Sequence, residues 1–228
     1  MANEEYTEIQ DLTADQLKEK ANNVFEENKM LIGGIIGALF ILIVGLYFYT
    51  SVYKNPREVI AQEELYKANN QMKRDSFTVA LKGLNVPGQA NNFIGYVGII
   101  DEYSGTTAAN SAHYYAGISS LRIGQPQLAL DYLSNFSGEE LLQTQAYTMM
   151  GDAASELNDF DTALGHYKMA GNNTENLSLS LYAKHKAGRL MEHQKNTKGA
   201  TTIYQEIMDA DQQIGEILGA DKDLIRLK

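Results

Sequence analysis

The sequence predicts an all-α protein in which a single N-terminal transmembrane helix is followed by a solenoid of helical repeats. Two observations predict this architecture. The segment 30–49 contains 20 residues, and none of them is charged. Farther along the chain, a pattern of small and bulky residues recurs at a spacing of 34 residues, and such a period is typical of stacked helix-turn-helix units.

Composition narrows the classes of function. The chain has 228 residues, a formal net charge of -10 and no cysteine, so we expect no disulfide framework, no thiolate metal site and no cysteine nucleophile. Lysine and arginine do not form the concentrated face that a phosphate backbone requires. Nucleic acid is therefore not an expected partner.

The first 29 residues are predicted to form an acidic arm with a short amphipathic helix. The segment 1–29 has eight acidic and three basic residues, which gives a net charge of -5. Thr13, followed by Gln16, resembles a capping box, so we expect a helix to begin near Ala14. The predicted apolar face of this helix consists of Leu17, Ala21, Val24 and Phe25.

The segment 30–50 is predicted to be a transmembrane helix. The 20 uncharged residues span roughly 30 Å at about 1.5 Å per residue, which matches the hydrocarbon core of a bilayer. A cleaved signal peptide, with an apolar core of about 7–15 residues, and a buried core helix of about 10–14 residues are the alternatives. Both are shorter than this segment, and bulky aromatic residues follow it instead of a small-x-small cleavage site.

The orientation of the span is predicted from the lengths of the parts on either side. The positive-inside rule is nearly balanced, because the basic residues Lys18, Lys20 and Lys29 precede the span and Lys54, Arg57 and Lys67 follow it. A single-span anchor with a short N-terminal arm usually has its long C-terminal part outside the cytoplasm. We therefore predict a cytoplasmic N-terminus.

Three glycines are predicted to form a smooth stripe on one side of the span. Gly33, Gly37 and Gly45 are separated by four and eight residues, a spacing that keeps them on one helical face. Small residues let another helix approach closely in lipid, so the stripe is a candidate docking face for a second membrane protein. The alternative is that these glycines have no specific role, since glycine is frequent in transmembrane helices.

Three segments of the remaining chain share one pattern. The segment 112–133 aligns with 146–167 at an offset of 34 residues, and the segment 183–204 follows after a further 37. A helix-turn-helix period of about 34 residues is that of the tetratricopeptide repeat, and an irregular helical bundle is the alternative. The pattern is defined by a glycine on the first helix (Gly117, Gly151, Gly188) and an alanine on the second (Ala129, Ala163, Ala200).

The segment 57–228 is therefore predicted to be a tetratricopeptide-repeat α-solenoid. The segment 57–108 fits as a degenerate repeat, with Ala68 and Ala80 in the two small positions. The last segment, 215–228, is expected to form a terminal helix that covers the end of the stack. Clear repeats are expected at 110–143, 144–177 and 181–214.

The first helix of each repeat is expected to line a concave surface. Its mixed aromatic and polar residues would suit an extended or partly folded polypeptide. The alternative is that Tyr114 and Tyr182 only pack between helices. The candidate residues of this surface are Tyr114, Ile118, Thr148, Asp152, Tyr182, His185 and Arg189.

No catalytic, metal or cofactor site is predicted. The chain has four histidines and no cysteine. The closest pair, His185 and His193, is eight residues apart, whereas two metal ligands on one helix are typically four apart. We therefore expect a protein without enzymatic activity, metal or cofactor.

The order of these features resembles a known bacterial family. An acidic arm, a spanning helix, NPREVIAQEELYKA, IIDEYSGTTAANSAHYYAG and tandem repeats follow one another, as in YfgM-like tetratricopeptide proteins of the Bacteroidota type. The resemblance covers essentially the whole chain, and EYSGT, AHYYAG and the GDA of the second clear repeat are its most specific parts. It implies anchoring in the inner membrane with the repeats in the periplasm. It also implies an ancillary role at the SecYEG translocon, beside a PpiD-like periplasmic chaperone.

Three hypotheses of function follow. The first is a non-enzymatic, membrane-anchored interaction protein that assists export or hands exported polypeptides to periplasmic chaperones. The second is a general periplasmic scaffold for envelope assembly that uses the span only as a tether. The third is a soluble secreted repeat protein, released by cleavage of the apolar segment.

Overall fold

A computed structural model describes residues 14–173 and 175–227. The predicted all-α class is confirmed for these residues, which form helices and turns without a β-strand. Their one β-type feature is an isolated antiparallel bridge between Leu84 and Phe93. The chain divides into two compact units, Met1–Pro56 and Arg57–Lys228.

The first unit contains one long apolar helix. Helix α1 (Ala14–Phe48) is followed by a π-helical segment, Tyr49–Lys54. Its most apolar stretch is not buried in the molecule, and the helix is long and apolar enough to cross a membrane. A core helix of this length would be mostly buried, because covering that much apolar surface is what stabilises a core.

The predicted arm is described only in part. Residues 1–13, including the proposed capping residue Thr13, lie outside the described residues. The side chains of Leu17 and Ala21 also lie outside this description. Val24 and Phe25, the other members of the predicted apolar face, are both more than half exposed.

The second unit is built from helices joined by short turns. Helices α5, α7 and α9 each pack on the helix that follows in the sequence. In addition, α5 contacts α7, and α7 contacts α9. The helices are α2 (Asn55–Met72), α3 (Phe77–Lys82), α4 (Gly95–Glu102), α5 (Thr107–Arg122), α6 (Pro126–Ser134), α7 (Glu140–Glu156), α8 (Phe160–Gly171), α9 (Leu177–His193), α10 (Thr197–Ala210), α11 (Gln212–Leu218) and α12 (Ala220–Arg226).

Four helix pairs are joined by turns of the same geometry. Asp75, Gly124, Asn158 and Lys195 each have a positive φ, between 57° and 70°. In every case the amide of this residue donates to the carbonyl three positions earlier, and the next amide donates to the carbonyl five positions earlier, at 2.8 to 3.0 Å. These bonds satisfy carbonyls at the end of the first helix of the pair.

The same register places small residues at the helix crossings. In each of the four turns, the residue seven positions before the left-handed residue is small, namely Ala68, Gly117, Gly151 and Gly188 in turn. Five positions after it stands an alanine, and all four of these alanines are fully buried. A Cβ atom on Gly117, Gly151 or Gly188 would overlap with Leu133, Tyr167 or Tyr204 of the second helix. The four buried alanines are Ala80, Ala129, Ala163 and Ala200.

Helix α2 is tied to the segment that follows the first pair. Glu58 accepts hydrogen bonds from the amides of Thr107 (2.6 Å) and Ala108 (3.0 Å), at the start of α5. The guanidinium of Arg57 donates to the carbonyl of Glu102 and lies over the ring of Tyr103. These contacts join residues more than 40 positions apart, so α2 is part of the folded unit.

The C-terminal end of the second unit consists of two short helices, whereas the sequence predicted one terminal helix. The segment 215–228 contains the end of α11 and the whole of α12, and Gly219 separates them with a φ of 86°. A residue with a side chain disfavours this left-handed conformation, whereas glycine adopts it readily. Helices α11 and α12 cover an apolar cluster that includes Leu181, Tyr204 and Ile207.

Candidate functional site

The seven residues expected on a concave surface have different environments. Tyr114, Thr148 and His185 are buried, with exposed fractions of 7%, 7% and 8%. Ile118 and Asp152 are half-buried. Only Tyr182 and Arg189, both on α9, are exposed.

Three of these residues, Tyr114, Asp152 and His185, form polar contacts with another helix. The hydroxyl of Tyr114 donates to Gln145 Oε1 of α7 at 2.6 Å. Asp152 on α7 accepts two hydrogen bonds from Lys186 Nζ of α9, at 2.9 and 3.1 Å. These groups therefore connect neighbouring layers of the stack and are not free for a partner.

His185 continues this series at the end of the stack. Its Nε2 atom lies 2.8 Å from Asp223 Oδ2 of α12, and its ring packs on Tyr204. Burial acts to raise the pKa of Asp223, but the hydrogen bonds from Arg226 and His185 outweigh it and hold this pKa below its usual value. Asp223 is therefore ionised at neutral pH and holds α12 against α9.

Asp152 lies at the centre of a half-buried polar cluster. It also accepts a hydrogen bond from the hydroxyl of Tyr167 at 2.7 Å. Burial lowers the pKa of Lys186, but the hydrogen bonds and negative charge of Asp152 have the larger combined effect and raise it. Burial and the bond to Asp152 raise the pKa of Tyr167. Lys186 therefore stays charged and Tyr167 stays neutral over the physiological range.

A second cluster of the same kind joins α9, α10 and α12. Glu192 accepts a hydrogen bond from Tyr204 Oη at 2.5 Å and two from the guanidinium of Arg226 at 2.5 and 3.0 Å. The bonds from Arg226 are the main reason that the pKa of Glu192 is lowered. Arg226 also donates to Asp223 at 2.7 Å. The one guanidinium of Arg226 thus binds both carboxylates of this cluster.

One side of α9 remains accessible, and we call it the α9 face. It consists of Tyr182, Lys186, Arg189 and His193, which are separated by four, three and four residues. This spacing places all four on one side of the helix. Lys186 Nζ lies 5.2 Å from the centre of the Tyr182 ring, within the range of a cation–π interaction.

Two cavities flank the α9 face. A cavity of about 390 Å³ has Lys186, Arg189 and His193 on one wall and residues of the α7–α8 turn, such as Asn158, on the other. A second cavity of about 460 Å³ lies between α9 and the C-terminal helices, with Arg189 on one wall and Lys222 on the other. Arg189 lines both cavities and so lies at the centre of the accessible surface.

The described residues contain no cluster suited to a metal ion. Within 14–173 and 175–227, no group of three or more histidine, aspartate or glutamate side chains is arranged to bind one. His113 and His166 are each half-buried, and the Nδ1 atoms of both lack a hydrogen-bond partner in the described part of the chain. Burial lowers the pKa of both rings. Their neutral forms are therefore favoured, as expected for packing histidines.

The glycine stripe of α1 is open. A Cβ atom on Gly33, Gly37 or Gly45 would meet no atom within 4 Å among the described residues. The side chains around these glycines, including Ile41, are exposed. The stripe therefore has room for a second helix.

Sequence reasoning missed three basic residues of the site. Lys186 and His193 share the spacing of Tyr182 and Arg189, so a helical projection of α9 could have found them. Lys222 could not be found in this way, because α12 meets α9 only through tertiary packing. The sequence also predicted one terminal helix over 215–228. That prediction did not include the break at Gly219, after which α12 begins.

Two comparisons with known proteins found no match to this chain. No family model matches it, and no curated protein matches it significantly. The helix pairs, the apolar helix and the α9 face are therefore the features that indicate the class of protein.

Proposed function

We propose that this protein is a non-enzymatic, membrane-anchored interaction protein of the tetratricopeptide-repeat type. One observation carries the proposal. Four helix pairs share a left-handed residue in the turn, a small residue seven positions before it and a buried alanine five positions after it. Such a repeated register is expected when each pair packs on the next in the same way, and an irregular bundle does not require it.

The contacts between helices support the same class. Each first helix of a clear pair (α5, α7, α9) packs on its own second helix and on the preceding pair. The polar contacts Tyr114–Gln145 and Asp152–Lys186 join successive first helices. In a solenoid, the first helices line the concave side, where partners bind. On the α9 face, Tyr182, Arg189 and His193 are exposed.

The apolar helix supports a membrane anchor. Its exposed surface is apolar over the length that a bilayer requires. We propose that it is a single span of the inner membrane, with a cytoplasmic N-terminus and the unit Arg57–Lys228 in the periplasm. The exposed stripe of Gly33, Gly37 and Gly45 is the candidate contact for another membrane protein.

The partners are proposed from the resemblance to YfgM-like proteins. They are the SecYEG translocon, a PpiD-like periplasmic chaperone and exported polypeptides. The function would be to assist export at the translocon or to pass emerging polypeptides to periplasmic chaperones.

The test is purification of the full chain from its native membrane in a gentle detergent, followed by identification of the copurifying proteins. SecY should be enriched in this complex. Absence of SecY, under conditions that retain other weakly bound translocon subunits, would contradict the translocon proposal.

Two variants sharpen this experiment. Gly33→Leu combined with Gly37→Leu should reduce SecY recovery if the stripe is the contact, because bulky side chains prevent close helix approach. Ile36→Leu, in the same span, is the matched control and should leave recovery unchanged. A third variant replaces the whole span with an unrelated transmembrane helix. If this variant keeps the protein's function but no longer copurifies with SecY, the protein acts as a general periplasmic scaffold.

A further inference from the structure

We infer that the α9 face binds the carboxylates of an acidic polypeptide segment. This inference rests on the proposed interaction function and adds the chemical class of the ligand. It is carried by the position of Arg189. Its side chain is exposed between two cavities, and within the described part of the chain it forms no ion pair.

Arg189 contrasts with the other arginine of this region. The guanidinium of Arg226 is held by Glu192 and Asp223, so its hydrogen-bonding groups are already used. The guanidinium of Arg189 keeps its donors available. A guanidinium presents them in a planar fork that matches the two oxygens of a carboxylate.

The surroundings of Arg189 have a local excess of positive charge. Lys222 lines the same cavity from α12 and has no ion pair among the described residues. The nearby carboxylates of Glu192, Asp223 and Asp152 are paired with Arg226 and Lys186, and Arg226 is shared by two of them. With Arg189 and Lys222 there are four cationic groups beside three carboxylates, an excess of one positive charge. The chain as a whole has a formal charge of -10, so this site is an exception on an acidic protein. Complementarity of charge therefore favours an acidic ligand.

The dimensions of the α9 face suit a polypeptide. From Tyr182 to His193 the helix rises by roughly 16 Å, at about 1.5 Å per residue. An extended chain covers that distance with about five residues, at about 3.3 Å each. The Tyr182 ring at one end, 43% exposed, offers an apolar surface to the backbone or an aliphatic side chain. We expect a short extended segment with carboxylates opposite Arg189 and Lys222.

The test measures peptide binding to the full chain in detergent micelles by fluorescence anisotropy. Three labelled hexapeptides are compared: a glutamate-rich peptide with an amidated C-terminus, its glutamine analogue with an amidated C-terminus, and the glutamine analogue with a free C-terminus. Side-chain carboxylates are the source if the first peptide binds most tightly. Tightest binding of the third peptide would place recognition at a chain terminus and would contradict an acidic segment as the ligand. In either case affinity should fall as salt is raised, because screening weakens exposed ion pairs.

Charge-neutral variants identify the groups that bind. Arg189→Gln and Lys222→Gln should each weaken binding of the preferred peptide by about fivefold, the upper range for an exposed ion pair. Arg74→Gln and Lys198→Gln remove the same charges at exposed positions outside the α9 face and should leave affinity unchanged. Because Arg189 and Lys222 are exposed, these variants should fold, which circular dichroism verifies.

Several outcomes would overturn the inference. Equal affinity for all three peptides would exclude carboxylate recognition but leave polypeptide binding intact. Displacement of the acidic peptide by inorganic phosphate at equal concentration would indicate a small-anion site instead. Equal effects of Arg189→Gln and Arg74→Gln would place the site elsewhere. None of these results depends on copurification of SecY, so the two proposals can fail separately.

Discussion

At the residue scale, the close contact of the paired helices depends on three glycines. Gly117, Gly151 and Gly188 each face a large side chain of the second helix. In two of the pairs this side chain is a buried tyrosine, whose hydroxyl is fixed by Asp152 or Glu192. Neither ring can move without losing a hydrogen bond inside the stack. The glycine and the tyrosine therefore act as one unit.

Gly151→Ala should destabilise the second unit. Its Cβ atom would overlap with the ring of Tyr167, and overpacking of this kind costs about 1–3 kcal/mol. That exceeds the about 0.5–1 kcal/mol that alanine gains over glycine in a helix. Gly165→Ala in α8 is the matched control, because its Cβ atom would meet nothing within 4 Å.

Urea unfolding of both variants gives the measurement. The free energy of unfolding should fall for Gly151→Ala and rise slightly for Gly165→Ala. A rise in both variants would mean that Tyr167 moves aside without cost, contrary to the packing described here.

At the element scale, α2 is joined to the rest of the unit by charge as well as by burial. Ala61, Leu65 and Ala68 are buried in the first core cluster. Glu58 reaches the amides at the start of α5, where the helix dipole favours a negative charge. A helix usually receives such a cap from its own preceding residue, and Thr106 supplies one here. The start of α5 is therefore capped twice, once locally and once by α2.

Glu58→Ala should weaken this attachment. It removes the acceptor for two amides, and loss of a cap of this type costs about 1 kcal/mol. Glu63→Ala is the control on the same helix, because Glu63 forms only an exposed pair with Lys67, worth about 0.3–0.5 kcal/mol. The midpoint of urea unfolding should fall more for Glu58→Ala. Equal shifts would show that the link between α2 and α5 contributes nothing beyond surface charge.

At the scale of the whole molecule, a polar unit of paired helices and an apolar helix occupy one chain. The unit Arg57–Lys228 has its own buried core, whereas the apolar part of α1 is exposed. A surface of that kind is covered in a bilayer, where the helix satisfies all its own backbone hydrogen bonds. The proposed arrangement places the binding face of the second unit outside the cytoplasm.

Single cysteines test this topology, because the chain contains none of its own. Lys198→Cys, at an exposed position of α10, should react with a membrane-impermeant maleimide in spheroplasts whose inner membrane is intact. Asn23→Cys in α1 should react only after that membrane is permeabilised. The parent chain is the control for background labelling. The reverse pattern would contradict the proposed orientation. Labelling of Lys198→Cys in the soluble fraction, without the N-terminal site, would indicate a protein released by cleavage of the apolar segment.

The sequence by itself determined the helical class and the apolar helix. Both follow from local properties, since the period of the apolar residues and the absence of charge over 20 residues do not depend on distant parts of the chain. The α9 face was predicted incompletely. Tyr182 and Arg189 were among the candidates, whereas Lys186 and His193 required a full projection of α9.

Only the tertiary structure decided which candidate residues remain free. Tyr114 and His185 find their partners 31 and 38 positions away, and Lys222 reaches the site through the break at Gly219. No local pattern encodes such distances, because they depend on how successive pairs stack. Hydrogen bonds between helices occupy some of the candidate groups and leave others exposed, and this competition leaves Arg189 at the centre of the proposed binding face.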